Sequence, residues 1–132
     1  AQWFINQASN YANNRILFNA PISKNQGIQF PISKSYAHMK AAELMVHYAA
    51  EKFDSGINDG ESANIAKLLA ADASWMAAEA CLQTFGGFGF AEEYDVERKY
   101  REARLYQVAP ISTNMILSYI AEKILGMPKS YG

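Results

Sequence analysis

"QTFGGFGF", residues 83–90, places three glycines and three phenylalanines directly behind a long alanine-rich segment. One glycine in the left-handed region is enough to end a helix, so the surplus needs another cause. Close approach of backbone to a ligand or a second chain is one; a glycine cap whose neighbouring rings plug the end of a bundle is the other. On either reading the stretch ends a helix. The segment before it, about Ser62 to Phe85, sets Ala66, Leu69, Ala73, Met76, Ala77 and Ala80 on one side. That is a helical period, and its small residues let a neighbouring helix come close.

The same period extends in both directions. Ala1 to about Leu17 carries Phe4, Ala8, Tyr11, Ala12 and Arg15 on one helix face. "NAPISKNQGIQFP", 19–31, holds two prolines and a glycine and reads as a loop, with Pro31 suited to a first helical turn. A helix of roughly 23 residues, about 35 Å long, then runs to Phe53, with Ala37, Ala41, Leu44 and Tyr48 on one stripe. Gly56 is its expected cap and Asp59-Gly60 a turn. Beyond the glycines, a short charged helix from about Asp95 pairs Glu97 with Arg101 and Arg98 with Glu102 at a spacing of four. The Arg98, Arg101 and Arg104 cluster reads as a structural ion-pair network. Pro110 breaks the pattern, Ser112 or Thr113 caps a last helix through Ile116, Ile120 and Ile124, and Gly126 with Pro128 stops it. With no strand pattern and no repeat, the expected fold is all-α, an antiparallel four-helix-type bundle.

Composition narrows the function. Half of the 132 residues are hydrophobic and the net charge is −1, which fits a single bundle domain over 1–132. The chain starts without methionine, in keeping with a fragment of a longer polypeptide. Twelve Lys and Arg against thirteen Asp and Glu leave no basic surplus for nucleic acid. Cys81, the single cysteine, sits among alanines and leucine and reads as a buried thiol in a reducing compartment, the cytoplasm. No apolar run spans a bilayer, and "AQWFINQ" lacks the regions of a signal peptide. Two histidines and one cysteine cannot fill a structural zinc site. Glu43 and His47 stand four apart with no second copy, which does not match the Glu-x-x-His pairs of a carboxylate-bridged metal centre. Residue types and spacing alone therefore leave a helical bundle without an assigned role.

The motifs themselves carry a resemblance. "LQTFGGFGFAEEYDVERKYREARLYQV", 82–108, resembles the C-terminal helical domain of the acyl-CoA dehydrogenases, with its Gln-x-x-Gly-Gly-x-Gly-Phe followed by Glu-Arg-x-x-Arg-Asp-Ala-Arg. "NRILFNAPISKNQGIQFPIS", 14–33, is similar to the segment upstream of it in that family, and "LGMPKSY", 125–131, to the Leu-Gly-Leu-Pro-Arg-Ser-Tyr tail of a bacterial branch. The resemblance implies the C-terminal domain of a three-domain flavoprotein that binds FAD across a subunit interface, as a homodimer or homotetramer. It further implies an acyl-CoA substrate and an electron-transfer flavoprotein as partner. In the family the glycine-rich turn of one subunit lies against the FAD held mainly by the other. Carried over, that turn is Gln83, Thr84, Phe85, Gly86 and Gly87, and Arg15 is the arginine that pairs with the diphosphate. Phe18 matches an aromatic near the nucleotide, Asn25 and Gln26 the polar pair beside it, and Ser112, Thr113 and Asn114 a segment also near it. Each has a plainer role open to it: solvated helix residue, loop packing or helix cap.

One departure bears on chemistry. The family commonly carries a catalytic glutamate in Tyr-Glu-Gly-Thr, and alignment through Tyr106-Gln107 places Pro110 in that slot and Ile111 at the glycine. A proline side chain accepts no proton, so general-base work cannot come from this position. Some relatives place the glutamate on an earlier helix, Glu92 or Glu93 are further acids, and a catalytically silent assembly or partner-binding domain is the alternative. With the family's other two domains outside these residues, the chain by itself is expected to be inactive.

Overall fold

The computed structural model describes residues 1–130. Helix α1, Gln2–Asn14, packs Phe4, Ile5, Ala8 and Ala12 inward. It ends earlier than the period predicts because Arg15 turns extended, at φ −78° and ψ 109°. Two short antiparallel strands follow, β1 Ile16–Leu17 and β2 Ala20–Pro21, with Ile16 opposite Pro21 and Leu17 opposite Ala20. This hairpin is absent from the sequence reading, since two-residue strands leave no alternation to detect. Its turn residues Phe18 and Asn19 have φ of 50° and 63°, the sign a two-residue primed turn requires.

After a 3₁₀ turn at Ile22–Lys24, helix α2 runs Gln26–Asp54 with Pro31 inside it. The predicted loop is thus helical over its last residues, and Pro31 lies in the second turn rather than the first. Gly27 and Pro31 each disfavour helix, but Ile32 packs against the core and tertiary contact overrides propensity. The stripe also differs in direction. Ala37, Ala41, Leu44 and Tyr48 face outward, Leu44 at 72% exposure, whereas Ile32, Ser35, Met39 and Ala42 lie on the packed side. Two apolar faces share this helix, and periodicity alone does not choose between them.

The link to α3, Gly60–Phe85, follows turn chemistry. Gly56 has φ +77°, and Ile57 N donates to Lys52 O at 3.0 Å while Gly56 N donates to Phe53 O at 2.9 Å, which closes the end of α2. Asp59 caps α3 by accepting from Ser62 N at 3.1 Å, and its other oxygen meets Lys52 Nζ at 2.5 Å. The helix therefore starts two residues before Ser62. Helix α3 is the central element, contacted by α1, α2 and α4. Ala66, Ala73, Ala77 and Ala80 are buried as read, while Leu69 is exposed.

Short 3₁₀ turns at Gly86–Phe90 and Glu92–Tyr94 lead to α4, Val96–Leu105. Helix α5, Thr113–Tyr119, is capped by Ser112, which accepts from Met115 N at 3.3 Å. A π-helical turn, Ile120–Ile124, extends it, and Gly126 ends it at φ +68°. The core joins Phe4, Ile5 and Ala8 of α1 to Ala77, Ala78, Cys81 and Phe85 of α3 and Val96 and Ala103 of α4. Burial pushes the Cys81 thiol up to about 12. On α4, Arg101 pairs with Glu97 at 3.0 Å and Arg98 pairs with Asp95 and Glu102, whereas Arg104 instead lies over the Trp75 ring at 5.2 Å. Among the described residues no helix is long and apolar enough to cross a membrane. Tyr131 of the tail motif lies outside them.

Candidate functional site

The ends of α1 and α3 meet, and the turns that leave them enclose a cleft of about 480 Å³. Its lining comprises Tyr11, Arg15, Leu17, Ile22, Thr84, Phe85, Gly86, Gly87 and Phe88. Arg15 is placed by backbone on both sides: its N–H donates to Tyr11 O at 2.8 Å, and its carbonyl accepts from Ile22 N at 2.9 Å. Its guanidinium lies over the Phe88 ring, 5.4 Å from the centroid. The floor is aromatic, with Tyr11 stacked on Phe85 at 4.1 Å and an interplanar angle of 20°. Tyr94 meets the edges of both rings.

The three glycines of the turn have different causes. Gly86 adopts φ +59° and ψ −134°, a backbone conformation essentially confined to glycine. Gly89 is buried against the preceding helix, where an added Cβ would lie 2.8 Å from Leu82 Cδ1 and 3.2 Å from the Leu82 carbonyl. Gly87 is exposed, and a Cβ there would meet nothing within 4 Å. Among the described residues, no contact requires its missing side chain.

The electrostatics depend on one residue. Helices α1 and α3 both end at the cleft, and a helix C-terminus carries partial negative charge. Arg15 is the only charged side chain in the lining. An anion here would therefore be held by the guanidinium, whose planar fork suits phosphate oxygens, and by turn backbone left open at Gly87.

Arg15, Thr84, Phe85, Gly86 and Gly87 of the predicted set share this cleft. Two of them have structural tasks: Phe85 belongs to the core, and the buried Thr84 hydroxyl donates to Ala80 O at 2.6 Å. Phe18, at 99% exposure, projects from the hairpin tip. Asn25 uses its side-chain amide on Ile22 O at 3.0 Å, and Gln26 is the exposed first residue of α2. Gln83 lines a separate groove between α2 and α3 with Phe30, Lys34, Met76 and Glu79. Ser112, Thr113 and Asn114 stand at the start of α5 and are not in the cleft lining; Ser112 is the cap. Pro110 is exposed on the turn before α5. Sequence reading missed Tyr11, Leu17, Ile22 and Phe88 as lining residues. Tyr11 was legible as the residue one helical turn before Arg15, while Leu17 and Ile22 reach the cleft only through the hairpin.

The described residues thus form an all-α bundle in which an arginine and a glycine turn share one cleft. A profile of the family described as "Acyl-CoA dehydrogenase, C-terminal domain" matches residues 1–125. The acyl-CoA dehydrogenase FadE12 of Mycobacterium tuberculosis is 37% identical over 129 residues, which are 96% of this chain and 33% of that protein. A 3-(aryl)acrylate reductase of Clostridium sporogenes is 34% identical over 125 residues, 95% of this chain and 33% of its own. The structure of a glutaryl-coenzyme A dehydrogenase in complex with glutaryl-CoA superposes with a TM-score of 0.91 at 31% identity, covering 99% of this chain and 33% of that one. The chain belongs to the acyl-CoA dehydrogenase family and forms its C-terminal domain. It spans about a third of the length of these relatives.

Proposed function

We propose that this chain is the C-terminal part of an FAD-dependent acyl-CoA dehydrogenase that desaturates the α,β-bond of acyl-CoA thioesters. Its Arg15 cleft takes the diphosphate of an FAD held mainly by a second copy of the polypeptide. The observation that carries this reading is that Arg15, the one charged side chain among the cleft's lining residues, shares the cleft with a glycine turn in which Gly87 leaves space for a ligand. Arg15 holds the phosphate oxygens, Gly87 lets the ligand approach the main chain, and the Tyr11–Phe85 stack stiffens the floor beneath both. Phe18, Asn25, Gln26 and Gln83 border the nucleotide from the surrounding surface, and Ser112, Thr113 and Asn114 approach it from the start of α5. Bound FAD supplies the hydride acceptor. The α-proton goes to a base elsewhere in the full-length protein, because Pro110 accepts none. A homodimer or homotetramer, an electron-transfer flavoprotein as acceptor and a cytoplasmic location belong to the same proposal.

The test is the full-length protein purified and titrated anaerobically with acyl-CoA. A yellow protein bleached by substrate is the expected result, with Arg15→Ala weakening FAD retention tenfold or more, the order of magnitude of a lost charge-assisted hydrogen bond to phosphate. The proline at 110 favours one other reading, a catalytically silent domain that assembles subunits or binds a partner. A colourless full-length protein that binds no FAD supports that reading instead.

A further inference from the structure

The Arg15 guanidinium and the Phe88 ring meet in the cleft, and different elements hold each of them. Arg15 leaves α1 with its backbone fixed at both N–H and carbonyl. Phe88 stands in the 3₁₀ turn after α3, where Ala91 N donates to its carbonyl at 3.1 Å and the next residue, Gly89, is seated against Leu82. Its ring packs on Tyr94 with 5.6 Å between centroids, and Tyr94 packs in turn on Phe85 of the core at 5.5 Å. The cation therefore lies at the end of a run of rings that begins in the core. Among the described residues Arg15 takes part in no ion pair, and no carboxylate is among the cleft's lining residues.

We propose that Phe88 is a positioning residue that holds the Arg15 guanidinium ready for a phosphate-bearing anion. This rests on the functional reading above and adds how the single cation of the cleft is kept in place without a carboxylate. A carboxylate partner takes up N–H groups of the fork and cancels the charge that draws an anion. A ring attracts the cation through its negative face and supplies no lone pair to occupy the fork, which stays open to phosphate oxygens. Holding a long side chain before the ligand arrives also lowers the ordering cost of binding. Phe88 directly follows Gly87, so the ring that holds the cation and the backbone open to a ligand come from adjacent residues. The ring is 44% exposed and lies outside the buried core, so it can be replaced without opening a cavity there.

The experiment measures the Kd of FAD for the full-length protein carrying Phe88→Leu or Phe88→Tyr, and for Phe88→Leu combined with Arg15→Ala. Phe88→Leu is expected to raise the Kd about threefold, the size of a cation–π contact at an exposed site. Phe88→Tyr keeps a ring and with it the starting Kd. In the Arg15→Ala background Phe88→Leu adds nothing, because the ring acts through the arginine. An unchanged Kd in Phe88→Leu overturns the proposal, as does an equal rise in Phe88→Tyr. A threefold rise that persists without Arg15 also overturns it, since the ring then touches the ligand itself. Should the unmutated protein bind no FAD, the functional reading fails separately, and inorganic pyrophosphate titrated against the NMR signal of the Arg15 Nε–H group reads the pair directly. Saturable binding that Phe88→Leu weakens supports the proposal; no binding, or equal binding in both proteins, overturns it.

Discussion

A methyl group at Gly89 would enter the space of Leu82, one at Gly86 would force a φ of +59° on alanine, and one at Gly87 would meet open space. These differences separate folding from binding within a single turn. Gly86→Ala is expected to destabilise the chain by about 1–3 kcal/mol through backbone strain, and Gly89→Ala to lower the urea midpoint as well. Gly87→Ala leaves the midpoint unchanged and weakens FAD retention in the full-length protein. Loss of stability in Gly87→Ala, with cofactor unaffected, overturns the assignment. Cys81 is a second residue whose environment sets its behaviour. With its thiol pushed up to about 12 by burial, it stays protonated at pH 8 and reacts with a thiol reagent only as fast as the protein unfolds. Rapid labelling under native conditions contradicts this.

The joint between α2 and α3 places its titrating groups together. Hydrogen bonds from Lys52 and then Ser62 hold the Asp59 carboxyl well below the usual carboxylate range. A carboxyl depressed on folding contributes stability that is full above its unfolded pKa, about 3.9, and is lost as pH falls through the folded value. Melting temperature is therefore expected to be insensitive to this group above about pH 5 and to decline below about pH 4. Asp59→Ala removes the α3 cap as well as the Lys52 partner, so it lowers the melting temperature at neutral pH and flattens the acid decline; an unchanged acid profile argues against it. Helix α2 shows the converse lesson. Its outward stripe of Ala37, Ala41, Leu44 and Tyr48 was legible as a stripe but not as a surface, because apolar spacing records a face and not the direction in which it points.

Across the whole molecule, the cleft offers one cation and a short glycine turn among its lining residues, and the diphosphate contact proposed above uses only these. The isolated 132-residue chain, given FAD, an acyl-CoA and an electron acceptor, is expected to show no turnover. Measured acceptor reduction above a protein-free control refutes this. Apolar side chains of α2, Phe30, Leu44 and Phe53 among them, and those of Val108 and Ile111 are exposed in this chain.

Helix content, the glycine end of α3, the caps at Gly56 and Ser112 and the charged face of α4 were all determined by local sequence, since period, cap chemistry and four-residue pairing act within a few positions of each other. The Gly86–Gly87 turn and Arg15 were legible as candidates through motif resemblance. Their meeting in one cleft, the hairpin that brings Leu17 and Ile22 beside them, the entry of Pro31 into α2 and the seating of Arg15 over the Phe88 ring were decided by tertiary structure. Those features join residues distant along the chain or set packing against local propensity, and the contacts that favour them exist only once the helices are docked.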